Sequence, residues 1–145
     1  MDELKTALKI ALANSFAMFY KAQALHWNVE GMFFGQFHDF YESIYKEVYG
    51  SIDKTAEELR ALEDYAPSSI DELYRYKTVN EAILNRDVTS QLEDLLATNT
   101  QLLESWEKVF EEAGKSHNHG LEDWASERLD AHNKHSWMLK SYLRK

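Results

Sequence analysis

Residues 34–62, FGQFHDFYESIYKEVYGSIDKTAEELRAL, decide the fold. Phe34, Phe37, Tyr41, Ile44, Val48, Ile52, Thr55, Leu59 and Leu62 follow one another at intervals of three or four residues. That interval puts side chains on one face of an α-helix, and here it persists through four heptads. The spacing predicts one long amphipathic helix. EDYAP at 63–67 ends it, because Pro67 disfavours helical geometry at Ala66.

On the N-terminal side, Leu4, Leu8, Leu12, Phe16 and Phe19 give a first helix over 3–28, and Asn28 and Gly31 bracket a short break before the long one. On the C-terminal side, Ser69 and Glu72 form a candidate capping box for a short helix over 69–75. Asp87 is a plausible N-cap for a third long helix carrying Leu92, Leu95, Leu102, Trp106 and Val109, with Gly114 as its C′ residue. KSHNHG connects it to a fourth helix over 121–143, whose stripe is Leu121, Ala125, Leu129, Met138, Leu139, Tyr142 and Leu143. Four long helices make an all-α four-helix bundle, read as one domain over 1–145. The link between the second and third is about 24 residues and holds a small helix, long enough to carry the chain to the other end of the bundle.

Composition supports helices and narrows the function. One proline and five glycines are too few for an all-β chain of many tight turns. No cysteine is present, so disulfides and thiolate metal sites are excluded, and a reducing compartment is compatible. MDELKTALKI does not read as a secretory signal, and no apolar run approaches the ~18 residues that span a bilayer. The expected location is the cytoplasm. A formal charge of −9, from 25 acids against 16 bases, repels nucleic acid and suits attraction of cations.

The chemistry rests on histidines and carboxylates. A metal centre enclosed in one bundle commonly uses E-x-x-H pairs, but the residues three before His26, His38, His117, His119, His132 and His135 are Gln23, Gly35, Gly114, Ser116, Leu129 and His132. A different set stands out. His26 closes the first helix and His38 opens the second, while Asp53 and Glu57 sit four apart on one face farther along. His38 and Asp53 are 15 residues apart, roughly 22 Å on a continuous helix, whereas ligands lie within about 2 Å of an ion. The two halves cannot meet in one chain. Two antiparallel copies would bring His26 and His38 of one to Asp53 and Glu57 of the other, and a twofold axis would make two equal sites.

The stretch HWNVEGMFFGQFHDFYESIYKEVYGSIDKTAEELRAL, residues 26–62, resembles the Dps family, the DNA-protection proteins from starved cells, or mini-ferritins. Their signature is H-W-N-V-x-G, a second His 12 residues on, an Asp 15 beyond and a Glu 4 further; His26, His38, Asp53 and Glu57 keep every spacing. WML at 137–139 and PSSIDEL at 67–73 resemble the family's fourth helix and its short helix.

The resemblance implies a ferritin-like bundle, a hollow twelve-subunit shell and a ferroxidase site at a dimer interface. It implies Fe(II) oxidation, preferably by hydrogen peroxide rather than dioxygen, and storage of ferric mineral. By it His26 and His38 anchor a first iron with Glu57, and Asp53 reaches toward a weaker second position. Glu42, one turn beyond His38, orients a ligand or accepts a second iron. Asp39 would nucleate mineral, Asp123, Glu127 and Asp130 would lie near threefold pores, and Trp27 would stand beside the metal.

Other features have plainer readings. HNH at 117–119 lacks a ββα context and reads as a loop. His132 reads as a buried hydrogen-bonded histidine, His135 as an interface or surface residue, Trp27 and Trp137 as core or interface anchors, and Phe34, Phe37 and Tyr41 as core. The family's DNA binding commonly uses a lysine-rich tail. Only Lys5 and Lys9 lie near the start here, which argues against DNA as a partner. The alternatives are a nucleoid-coating shell with little ferroxidase activity and a bundle whose metal site is vestigial.

Overall fold

The computed structural model describes residues 2–81 and 86–144. Its helices are α1 (Asp2–Asn28), α2 (Phe34–Tyr49), α3 (Ile52–Ala61), α4 (Ile70–Tyr74), α5 (Val88–Lys115) and α6 (His119–Leu143). The core is built from the apolar stripes, with Leu4, Leu8, Tyr41, Ile44, Leu59, Leu95, Leu102, Trp106, Leu121 and Leu139 almost wholly buried. Phe34 departs from its expected place. It is 44% exposed at the first position of α2, where the bundle no longer covers it.

Side-chain pairings give the topology. Lys21 meets Asp94 and Thr98 while Asn14 meets Ser105, so α5 runs antiparallel to α1. Tyr142 reaches Gln36, His135 and Arg128 reach Glu47, and Trp124 reaches Thr55, so α6 runs antiparallel to α2 and α3. The hairpin after α1 turns α2 against it. The order up, down, down, up requires a crossover between α3 and α5, and the side chains of α1 trace it. Lys9 pairs with Asp64, Asn14 holds Thr78 and Val79, and Lys21 holds the Asn80 carbonyl. This is the ferritin-like bundle that the long connection predicted.

Several local signals differ from expectation. The long second helix is two helices, broken at Gly50–Ser51. Ser51 spends both its N–H and its hydroxyl on the Val48 carbonyl, at 3.0 and 2.6 Å, so the α-helical ladder stops there. Glycine–serine pairs are a usual cause of sharp breaks. The end of α5 is set by His117 rather than Gly114. His117 has φ 56°, and the N–H groups of Asn118 and His117 reach the carbonyls of Ala113 and Gly114, a Schellman ending. Asn118 then caps α6 by accepting from the Leu121 N–H, so HNH is partly helical. Ser69 and Asp87 cap α4 and α5 as expected, although the Glu72 carboxylate reaches back to Ser68 rather than Ser69. Among the described residues, no helix is long and apolar enough to cross a membrane.

Candidate metal site

The turn between α1 and α2 folds the chain back so that His26 and His38 lie side by side. Gly31 makes the reversal at φ +114°, a conformation that residues with a Cβ rarely adopt, and its carbonyl accepts the Phe34 N–H. The two imidazoles stack with centroids 3.7 Å apart and planes 16° from parallel. Each hydrogen-bonds the other's backbone: His26 Nδ1 to the His38 carbonyl and His38 Nδ1 to the His26 carbonyl, both at 2.7 Å. A carbonyl only accepts, so each Nδ1 carries a proton and the nitrogen of each ring that can offer a lone pair to a metal is Nε2. Metal-binding histidines are usually fixed in this way, with the other nitrogen donating to a carbonyl or carboxylate. The His26 carbonyl is also one of the last in α1, which lacks a partner within its own helix, so the lock satisfies a helix end as well.

Aromatic rings enclose the pair. Tyr45 packs edge-on to His26 at 5.2 Å and Phe34 stacks on His38 at 4.9 Å. Glu42 stands 3.9 Å from His26 Nε2 and is itself 3.3 Å from Lys46 Nζ, so three of the five candidate metal residues gather here. Asp53 and Glu57 stand apart on α3, exposed and one turn from each other. Among the described residues, no group of three His, Asp or Glu side chains of one chain is arranged to hold a metal ion. Imidazole and carboxylate are ligand types that suit a borderline cation. Asp39, Asp123, Glu127 and Asp130 are exposed. Trp27 and Trp137 are 55% and 65% exposed, so neither is core within one chain.

Sequence reasoning missed a second polar cluster, between α2 and α6. Arg128 makes a two-pronged contact with Glu47 at 2.6 and 3.0 Å, and His135 Nε2 donates to the same carboxylate at 2.7 Å. His135 is therefore buried in the chain rather than at its surface. His132, fully buried as expected, donates Nδ1–H to Asn99 and accepts from Arg128 at Nε2. Burial would push the Glu47 carboxyl up, but hydrogen bonds from His135 and Arg128, with the Arg128 charge, outweigh it and hold Glu47 well below the usual carboxylate range. Burial, then the Arg128 charge, drives His132 well below the ordinary imidazole value. The signal available was Arg128, His132 and His135 falling at helical spacing on the same stripe as Leu121, Ala125 and Leu139.

The model of the ferritin-like domain matches residues 5–145. General stress protein 20U of Bacillus subtilis is 29% identical over 145 residues, covering 98% of this chain and 98% of that protein. The DNA protection during starvation protein of Listeria innocua is 26% identical over 145 residues, covering 99% and 93%. Among solved structures, the Dps protein of Vibrio cholerae O1, a member of a broad superfamily of ferritin-like diiron-carboxylate proteins, superposes with a TM-score of 0.93 at 26% identity, over 99% of this chain and 90% of that one.

Proposed function

Because the chain belongs to the ferritin-like family, in its Dps branch, we propose that it is an iron-binding mini-ferritin that protects against oxidative stress by oxidising Fe(II) and storing the ferric product. The observation that carries this reading is the reciprocal lock of His26 and His38, which stacks the two imidazoles and holds each by its Nδ1. Iron is the substrate. His26 and His38 of one copy bind it with Glu57 of a second, Asp53 of that second copy reaches toward a weaker second position, and Glu42 orients a ligand or accepts a second iron.

The division of labour follows from ligand chemistry. Hard anionic carboxylates stabilise Fe(III) over Fe(II), and few protein ligands leave positions open to the oxidant. Two Fe(II) ions give one electron each to hydrogen peroxide, whose O–O bond breaks to leave two hydroxides. A second copy also suits the surface around the lock, where Trp27, Met32 and Phe33 are 55%, 90% and 60% exposed. Clustered exposed apolar side chains mark association surfaces. A closed shell of twelve such copies would hold the mineral.

The test is anaerobic Fe(II) loading of the purified protein followed by peroxide. Oxidation faster than in buffer is expected for the parent and not for His26→Ala or Glu57→Ala. Equal rates in parent and buffer defeat the ferroxidase reading, and a monomer by light scattering defeats the shared site. Coating of DNA is disfavoured by the charge of −9. A gel shift at physiological salt in magnesium-free buffer would overturn that expectation.

A further inference from the structure

The break at Gly50–Ser51 separates the two halves of the candidate ligand set, His38 and Glu42 on α2 from Asp53 and Glu57 on α3. The angle at this break decides where the second pair points. Glu57 lies six residues past Ser51, about 9 Å along α3, so a tilt of about 6° moves it by about 1 Å. Metal sites tolerate only about 0.2 Å in their ligand distances. Local interactions at the break are all short-range. Gly50 has no side chain, the Ser51 N–H and hydroxyl return to the Val48 carbonyl on α2, and the Ser51 carbonyl accepts from the Thr55 N–H and hydroxyl on α3.

α6 holds both sides of the break. Before it, Glu47 is held by Arg128 and His135. Beyond it, Thr55 accepts the indole N–H of Trp124 at 3.2 Å while its hydroxyl donates to the Ser51 carbonyl at 2.8 Å. The two grips touch, since the Arg128 guanidinium lies 5.8 Å from the Trp124 ring. Stability alone accounts poorly for this arrangement. Arg128 is buried with its Nε unpartnered, and buried ionic clusters are often no more stable than apolar packing of the same volume.

We propose that Trp124, Arg128 and His135 are positioning residues for the iron site: α6 fixes the angle between α2 and α3 and so the alignment of the two ligand pairs. This rests on the reading of the site given above. Titration of the assembled protein with Co(II) under anaerobic conditions, followed by its d–d absorption, reports affinity and coordination geometry together. Trp124→Phe keeps a ring and deletes the donor, and Arg128→Lys keeps the charge and deletes the two-pronged contact. The double variant is expected to bind Co(II) about ten-fold more weakly, with a shifted absorption envelope. Val109→Ala, a core truncation on α5 outside both grips, is expected to leave envelope and affinity unchanged.

A double variant whose envelope and affinity match the parent overturns the proposal, as does an equal change in Val109→Ala. Should the double variant fail to assemble, Trp124→Phe alone gives the same two outcomes. His38→Ala separates the premises: if it still produces the parent's Co(II) signal, the site reading itself falls, and this proposal with it.

Discussion

Gly31 occupies the last position of the H-W-N-V-x-G start for a backbone reason. At φ +114° it reverses the chain in the space between His26 and His38, and open space surrounds it. Adding a Cβ would therefore clash with nothing; its cost is conformational. Gly31→Ala is expected to destabilise the protein by about 1–2 kcal/mol. Chemical denaturation measures this, and an unchanged midpoint would mean that the turn relaxes without strain. The ligand histidines were legible in the sequence because their spacing belongs to a specific signature. Their mutual Nδ1-to-carbonyl lock was not, because a hydrogen bond between the end of one helix and the start of the next depends on how the intervening turn closes. Glu47 was invisible for a stronger reason: its partners lie 81 and 88 residues away, and nothing near it in the chain marks it as half-buried in an ion pair.

At the scale of elements, signals that act within one turn were readable and those that depend on packing were not. Ser69 and Asp87 cap as their sequence context suggests, since a cap needs only the residues three positions on. The Gly50–Ser51 break was masked because Ile44, Val48, Ile52, Thr55 and Leu59 keep helical spacing across it. Gly114 looked like the residue beyond the helix end, yet α5 runs past it to Lys115 and the positive-φ position falls on His117, a residue type that tolerates positive φ better than most. The crossover was readable as a length, but its path was not. That path is written by Asn14, which accepts from the N–H groups of Thr78 and Val79 at 2.9 and 3.4 Å and donates to the hydroxyls of Thr78 and Ser105. Asn14→Ala strands these groups with α1 still in place. The expected loss is about 2–4 kcal/mol, from unsatisfied buried donors together with a small cavity. Equilibrium unfolding in urea measures it. A loss below about 0.5 kcal/mol, the size of an ordinary surface change, would show that the crossover is held some other way.

Across the whole molecule, burial of ionisable groups ties stability to pH with a definite sign. His132 is fully buried and neutral, and its folded-state value lies well below 6.5. The unfolded chain takes up a proton on this ring as pH falls through that ordinary value, whereas the folded chain does not. Its contribution is therefore complete above about pH 6.5 and declines below it. Glu47 is depressed below its ordinary 4.5, so its contribution is complete above that value and is lost as acid protonates the carboxylate in the unfolded chain. The two act in sequence on descent, His132 first and Glu47 below it, and both loosen the attachment of α6 to the rest of the bundle. The denaturation midpoint should be nearly flat from pH 8 to about 6.5, fall gently to about 4.5 and fall more steeply beyond. His132→Gln replaces the ring with an uncharged amide and should flatten the gentle segment while leaving the steep one. A His132→Gln profile that keeps the parent's slope between pH 6.5 and 4.5 would show that another group carries the upper transition.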